Sequence, residues 1–324
     1  MVKVFPSYFS GFFIKGKNQT SPLDEDARQF CSSLSKDIER LECSLVDGSI
    51  SLRWSAEAMN VLKKMHFEFL LFVEKSRPPI SSEGKDWLDQ YMKESVMLLD
   101  FCNVLKSAVS RIERYRMVVE FTVRKLNDDD TSIETKKIEM ERLERECKKN
   151  PAIIEKWGDA RLDKIIWECN ESKKGITPVM FAIKSTVMII TSLLFSAFIS
   201  TATVDVGDRE ACRKFPQLGL FGSSLMTLVY RYRERIQTPK ANSGMGLVEH
   251  EMVERAVDDL KAQIAGGMVE GREKVVRSVE VLNKRSVDLK ESLQMFDSAV
   301  NGVFDEVIKG RNKLLGMFGS TYLI

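Results

Sequence analysis

The stretch "STVMIITSLLFSAFISTATV", residues Ser185 to Val204, contains no charged side chain. About 20 apolar residues in a helix cross the hydrocarbon core of a bilayer, so the run is long enough to span a membrane. Eight of its twenty positions are Ser or Thr. Hydroxyls of this kind bond back to the backbone of their own helix and suit close helix packing in either solvent. Two readings are therefore open, a membrane span and the buried centre of a helical bundle. A second uncharged run, Phe215 to Tyr230, follows the charged connector "DVGDREACRK". The two runs together read as a central apolar helical hairpin over 177–236, which is the reading taken.

The flanks carry the stripes such a centre needs. In "SPLDEDARQFCSSLSKDIERLECSLV", Ser21 and Pro22 open a helix and three acids follow near its positive end. Ala27, Phe30, Leu34, Ile38, Leu41 and Leu45 then recur at three- and four-residue steps. From Ser51 to Lys75 the stripe is Trp54, Ala58, Leu62, Met65, Phe69 and Phe72, ended by Arg77-Pro78-Pro79. From Trp87 to Leu126 it is Tyr91, Leu98, Cys102, Leu105, Val109, Ile112, Val119, Val123 and Leu126. Beyond Gly246, Val253, Ala256, Leu260 and Ile264 lead to glycines at 266, 267 and 271, which mark a break. Val275, Val279, Leu282, Leu289, Leu293, Phe296, Val300, Val303, Val307 and Leu314 continue the pattern. The fold class that follows is all-α, an elongated bundle of long antiparallel amphipathic helices.

Two regions stand apart. Residues 1–22 lack Asp and Glu, and place Phe5, Phe9, Phe12 and Phe13 on one helical face near Lys3, Lys15 and Lys17. Docking on a membrane surface is one reading. Pro6 and Gly11 oppose a stable helix, so the segment is taken as a tail with packing aromatics. Residues 127–176 are a charged excursion, within which 131–149 reads as either a lid helix or a partly ordered excursion and a short helix is expected from Ala152 to Cys169. The organisation expected is one bundle domain over 23–324, with N-terminal helices over 23–126 and C-terminal helices over 246–318.

The chain is nearly balanced in charge, with 49 basic and 47 acidic residues. That excludes general attraction to nucleic acid. "VYRYRERIQTPK" interleaves aromatic and basic residues, but they distribute around a helix axis. Six cysteines at 31, 43, 102, 147, 169 and 212 form no CxxC unit, so no metal site is expected and the thiols suit a reducing compartment. Of the two histidines, His250 opens "HEMVE", which lacks the second His of a metalloprotease helix. His66 reads as a packed or rim residue. No phosphate loop occurs, and "NDDDTS" lacks the sixth-position Gly of an EF-hand. No cofactor is expected.

Three stretches resemble the plant BYPASS family of developmental proteins. "WLDQYMKESVMLLDFCNVLKSAVSRIERY" carries Trp87, Tyr91 and the core Ser95, Leu98, Leu99, Asp100, Cys102 and Asn103. "WSAEAMNVLKKMH" carries Trp54 and His66, and "VNGVFDEVIKGRNKLLGMF" carries Gly310, Arg311, Leu314 and Leu315. The resemblance runs from about residue 20 to 318, except over 127–176. It implies a non-enzymatic regulator of plant development that restrains a root-derived mobile signal affecting shoot growth. It also implies protein partners, exocyst subunits of secretion among them, and no catalytic role for the signature residues. A cytoplasmic location with contact to a membrane surface is expected, with the endoplasmic reticulum membrane or a plastid as alternatives.

Two other functions stay open. As a single-span protein, Lys164, Lys173, Lys174 and Lys184 would hold the N-terminal side in the cytoplasm, with Asp205 and Asp208 across the membrane. That topology separates amphipathic stripes that suit one another. An enzyme of unrecognised type lacks any known nucleophile, metal set or phosphate loop in this sequence.

Overall fold

A computed structural model describes residues 22–45, 50–78, 85–127, 133–148, 176–198, 219–236, 247–265 and 272–318. Eight helices form among the described residues: α1 (Pro22–Cys43), α2 (Leu52–Ser76), α3 (Lys85–Asn127), α4 (Ile133–Lys148), α5 (Thr177–Phe198), α6 (Gly219–Ile236), α7 (Val248–Ala265) and α8 (Arg272–Phe318). No strand forms there beyond an isolated parallel bridge between Ile50 and Leu247. At about 1.5 Å per residue, α3 and α8 are rods of roughly 65 and 70 Å. The tail over 1–21, the helix expected at 152–169 and the end of the apolar run from 199 to Val204 lie outside the described residues.

Helix ends follow local chemistry. The Ser51 hydroxyl accepts from the Trp54 amide at 3.0 Å and caps α2. The Glu249 carboxylate, in the first turn of α7, accepts the Leu52 amide with both oxygens at 2.9 and 3.1 Å. α2 stops at Arg77, which takes a left-handed conformation (φ 39°) just before Pro78 and returns its amide to the Val73 carbonyl.

The apolar helix α5 is the centre. It packs on α1, α2, α3 and α6, and 78% of its most apolar 18-residue window is buried. Its buried hydroxyls are satisfied inside the helix. Ser185 donates to the Phe181 carbonyl at 2.7 Å, Thr186 to Ala182 at 2.8 Å and Thr191 to Val187 at 2.7 Å. Ser196 bonds the Leu193 carbonyl at 2.9 Å and also meets the Tyr232 hydroxyl of α6. Lys184, mostly covered, reaches Glu94 of α3 at 3.5 Å. Burial pushes the Glu94 carboxyl up from its ordinary value, against a hydrogen bond from Gln90 and the charge of Lys184.

The two apolar runs touch, but α6 lies mainly along α1 rather than along α5. Ser224 bonds Ser35 and Glu39, each at 2.9 Å, and Arg231 pairs with Glu42. Part of the charged excursion is an ordered helix. α4 packs Met140 and Leu143 against the core, and Lys136 donates to the Leu126 carbonyl at the end of α3.

Antiparallel packing holds for α1 with α2, where Asp26 meets Lys75 and Asp37 meets Lys64. It holds for α3 with α8, where Lys106 meets Asn301 and Ser95 meets Arg311. α2 and α8 run parallel instead: Lys63 lies against Gly302, Lys309 over the Phe67 ring, and Lys313 on Glu74 at 2.5 Å. The direction is a geometric necessity. α3 opposes both α2 and α8, so those two must point the same way.

Loss of the α2 cap is directly measurable. Ser51→Ala is expected to lower stability to urea by about 1 kcal/mol. Ser110→Ala, on the exposed side of α3, should change it by less than about 0.5 kcal/mol.

Candidate functional site

The signature residues of three separate stretches meet where α2, α3 and α8 come together at one end of the bundle. His66 faces inward from α2, and its Nδ1 lies 3.3 Å from the Tyr91 hydroxyl of α3. Phe69, one turn beyond His66, packs on Tyr91 at 4.9 Å between ring centroids and edge-on to Trp87 at 6.4 Å. Trp87 in turn receives Phe318, near the end of α8, at 5.8 Å.

α8 closes this cluster with a glycine and an arginine. A Cβ on Gly310 would stand 3.0 Å from the Tyr91 hydroxyl and 3.2 Å from a Leu70 methyl, so the bare backbone lets α8 seat between the other two helices. Arg311 then crosses to α3. Its Nη1 donates to the Met92 carbonyl and to Ser95 Oγ, both at 2.5 Å, while Ser95 Oγ donates to the same carbonyl at 3.0 Å. One guanidinium therefore fastens the last turns of α8 to the first turns of α3.

Electrostatically the junction is quiet. His66 is fully enclosed, its Nε2 has no hydrogen-bond partner, and burial lowers its pKa to about 4. Burial raises the Tyr91 phenol well above its ordinary range, partly offset by the charge of Arg311. It also pushes the Cys102 thiol, further along α3, to about 12. At neutral pH these groups are an uncharged imidazole, a protonated phenol and a protonated thiol. None is poised to give up or accept a proton, and a buried thiol of this kind is a poor nucleophile. Among the described residues no group of three potential metal ligands gathers.

The remaining signature residues are not part of this contact set. Trp54 sits at the opposite end of α2 and donates its indole N–H to the Leu41 carbonyl of α1 at 3.0 Å. Leu98 and Leu314 are buried core, Leu99 and Asp100 are half-buried, and Asn103 and Leu315 face solvent. Ser185 is buried within α5, and Val204 lies outside the described residues. Phe69, Leu70 and Phe318 belong to the junction without standing in the signature. Both phenylalanines were accessible from the sequence, Phe69 on the α2 stripe one turn beyond Met65 and Phe318 as the last residue of the third quoted stretch, one turn beyond Leu314.

Fold and junction together define a class of all-α proteins in which long helices are clasped by an aromatic cluster and one arginine. The chain belongs to the family described as "Protein BPS1", whose model matches residues 59–317, in keeping with the BYPASS resemblance. The match takes in every signature residue except Trp54. Over 122 residues the chain is 25% identical to "Protein BPS1, chloroplastic" of Arabidopsis thaliana, covering 38% of this chain and 35% of that protein. Over 121 residues it is 23% identical to "UPF0496 protein 4" of Oryza sativa subsp. japonica, covering 37% of this chain and 26% of that protein. The matched region thus spans about a quarter to a third of these curated relatives. No solved structure matches the chain.

Two measurements probe the junction. Gly310→Val is expected to cost about 1–3 kcal/mol through overpacking against Tyr91 and Leu70. Gly316→Ala, where an added Cβ meets nothing within 4 Å, should instead stabilise by up to about 1 kcal/mol by helix propensity.

His66 sets a pH dependence with a definite sign. Its folded pKa of about 4 lies below the unfolded value near 6.5. The unfolded chain therefore binds the extra proton, and stability present above pH 6.5 is lost as pH falls towards 4. The full loss is on the order of 3 kcal/mol. Urea titrations from pH 7 to 4 are expected to show this fall and to show a flatter profile for His66→Gln.

Proposed function

We propose that the protein is a non-enzymatic, BYPASS-like regulator of plant development, a rigid helical scaffold that works by binding other proteins. The observation that carries this reading is the use made of the signature residues. Six of them build a mechanical clasp between α2, α3 and α8, in which the His66 imidazole and the Tyr91 phenol are held uncharged by burial and Arg311 serves as a tether. Restraint of a root-derived mobile signal that arrests shoot growth, acting through exocyst or other secretory partners, is the role proposed for the scaffold. Its proposed location is cytoplasmic and next to a membrane. A plastid location is the alternative, supported by the word "chloroplastic" in the name of the Arabidopsis relative.

A second reading rests on α5, which has the length and apolarity of a membrane span, with a mean hydropathy of 1.8. As a span it would need to leave its covering helices and break the Lys184–Glu94 pair. Burial favours the scaffold.

Proximity labelling and affinity purification of the tagged protein from plant cells test the first reading. Secretory tethering subunits are expected in wild-type eluates, and recovery should fall several-fold with Arg311→Ala if the clasp presents the partner surface. Absence of a stable protein partner at near-physiological salt overturns the scaffold. Resistance to alkaline carbonate extraction, lost on deleting 185–204, would establish the span instead.

A further inference from the structure

The outer face of α3 holds positive charge that its own acids do not balance. Between Phe101 and Asn127 stand six basic and two acidic side chains, in a chain that carries 49 and 47. Both acids are already engaged. Arg116, its side chain 7% exposed, binds Glu113 at 2.7 and 2.9 Å and Glu120 at 2.7 Å. Glu120 also pairs with Arg124. No carboxylate among the described residues pairs with Lys106, Arg114 or Lys125, all three of them exposed. Burial, and then the charge of Arg114, lower the pKa of the neighbouring Arg111, so like charges crowd here.

Apolar side chains sit among these cations. Met117 is 57% exposed and Phe121 43%. Arg114, Met117, Phe121 and Lys125 follow one another at steps of three and four. They therefore share one face, turned away from the buried stripe of Ile112, Val119 and Val123. Lys106 lies two turns before Arg114, and the strip from Lys106 to Lys125 is about 28 Å long. Lys125 and, from α4, Arg142 lie over the Phe121 ring, at 5.8 and 5.5 Å from its centroid. Arg142 keeps one carboxylate, Glu139, at 3.8 Å.

Shape and chemistry together select the occupant. A partner helix seats its apolar anchors in a groove, whereas this strip is the convex outside of a single rod. A bilayer interface yields around such a ridge. Phe and Met reach the acyl boundary there, while Lys and Arg extend along their apolar stems to acidic headgroups.

We infer that α3 lays this strip on an anionic bilayer surface, with Met117 and Phe121 entering the headgroup layer and Lys106, Arg114 and Lys125 meeting acidic headgroups. The inference rests on the membrane-adjacent location proposed above and names the face that meets the lipid. α5 stays enclosed in this arrangement, so the contact is peripheral.

Flotation of the full-length protein with phosphatidylcholine vesicles, with and without about 30% phosphatidylserine, tests this at near-physiological salt. Binding is expected with phosphatidylserine and should be about tenfold or more weaker without it. Each basic residue near the surface is worth about fivefold, so Arg114→Glu with Lys125→Glu should weaken binding about thirtyfold or more. Phe121→Ala should weaken it about threefold and leave its salt dependence unchanged. Lys36→Glu with Arg53→Glu makes the same charge change at exposed positions of α1 and α2, and should leave binding within about twofold. Circular dichroism checks that every variant keeps its helices. Equal loss in the two double variants would make net charge the cause and overturn the inference. Binding that survives the α3 reversals, or no binding to anionic vesicles, would overturn it as well. Capture on polyglutamate beads as strong as on vesicles would assign the strip to an acidic protein instead. Fractionation of plant cells reads the location separately: a wild-type chain found with membranes, whose vesicle binding ignores the reversals, keeps the location and loses the strip.

Discussion

Everything in this bundle depends on covering α5. A helix with one charge in its 22 residues is stable in water only if its surface is taken up by other helices. Fully buried side chains such as Ile190, Leu193 and Leu194 each contribute about 1.5–3 kcal/mol when they leave water. The cover comes from α1, α2, α3 and α6, each turning an apolar stripe inward. Ser185, Thr186, Thr191 and Ser196 do not spoil the arrangement, because each hydroxyl finds a carbonyl on its own helix. Phe198 then stacks on Phe296 at 5.3 Å, which carries the packing on to α8.

The clasp solves a different problem. α3 and α8 are long, and long helices held only by apolar stripes can slide, since one turn of slip leaves a stripe still facing a stripe. Arg311 reaching Ser95 and the Met92 carbonyl, and Gly310 under the Tyr91 hydroxyl, fit in one register only. Directional bonds of this sort add little net energy per bond but distinguish one alignment from its neighbours. Three helices tied at one end make a stiff body with its sides exposed, and stiff sides suit a binding scaffold.

Much of the secondary structure was legible. The stripes Ala27 to Leu45, Trp54 to Phe72 and Tyr91 to Leu126 are buried almost without exception. Helix period and end signals are local, carried by residues three or four apart. The signature was legible as a pattern and opaque as a site. Asn103 and Leu315 face solvent while Phe69 and Phe318 sit at the junction. A linear motif mixes residues that hold a helix with residues that hold its neighbours, and nothing in the string separates them.

By itself the sequence determined that the chain is all-α, where α1, α2, α3 and α8 run, and that no recognised catalytic pattern lies along them. Only the tertiary structure decided that 177–198 is enclosed, that α6 lies on α1, and that α2 and α8 run parallel. The reason is separation. Arg311 and Ser95 are 216 positions apart, and Ser35 and Ser224 are 189 apart. No local period relates such residues. They meet only when each apolar stripe has found the partner that leaves little of α5 in water.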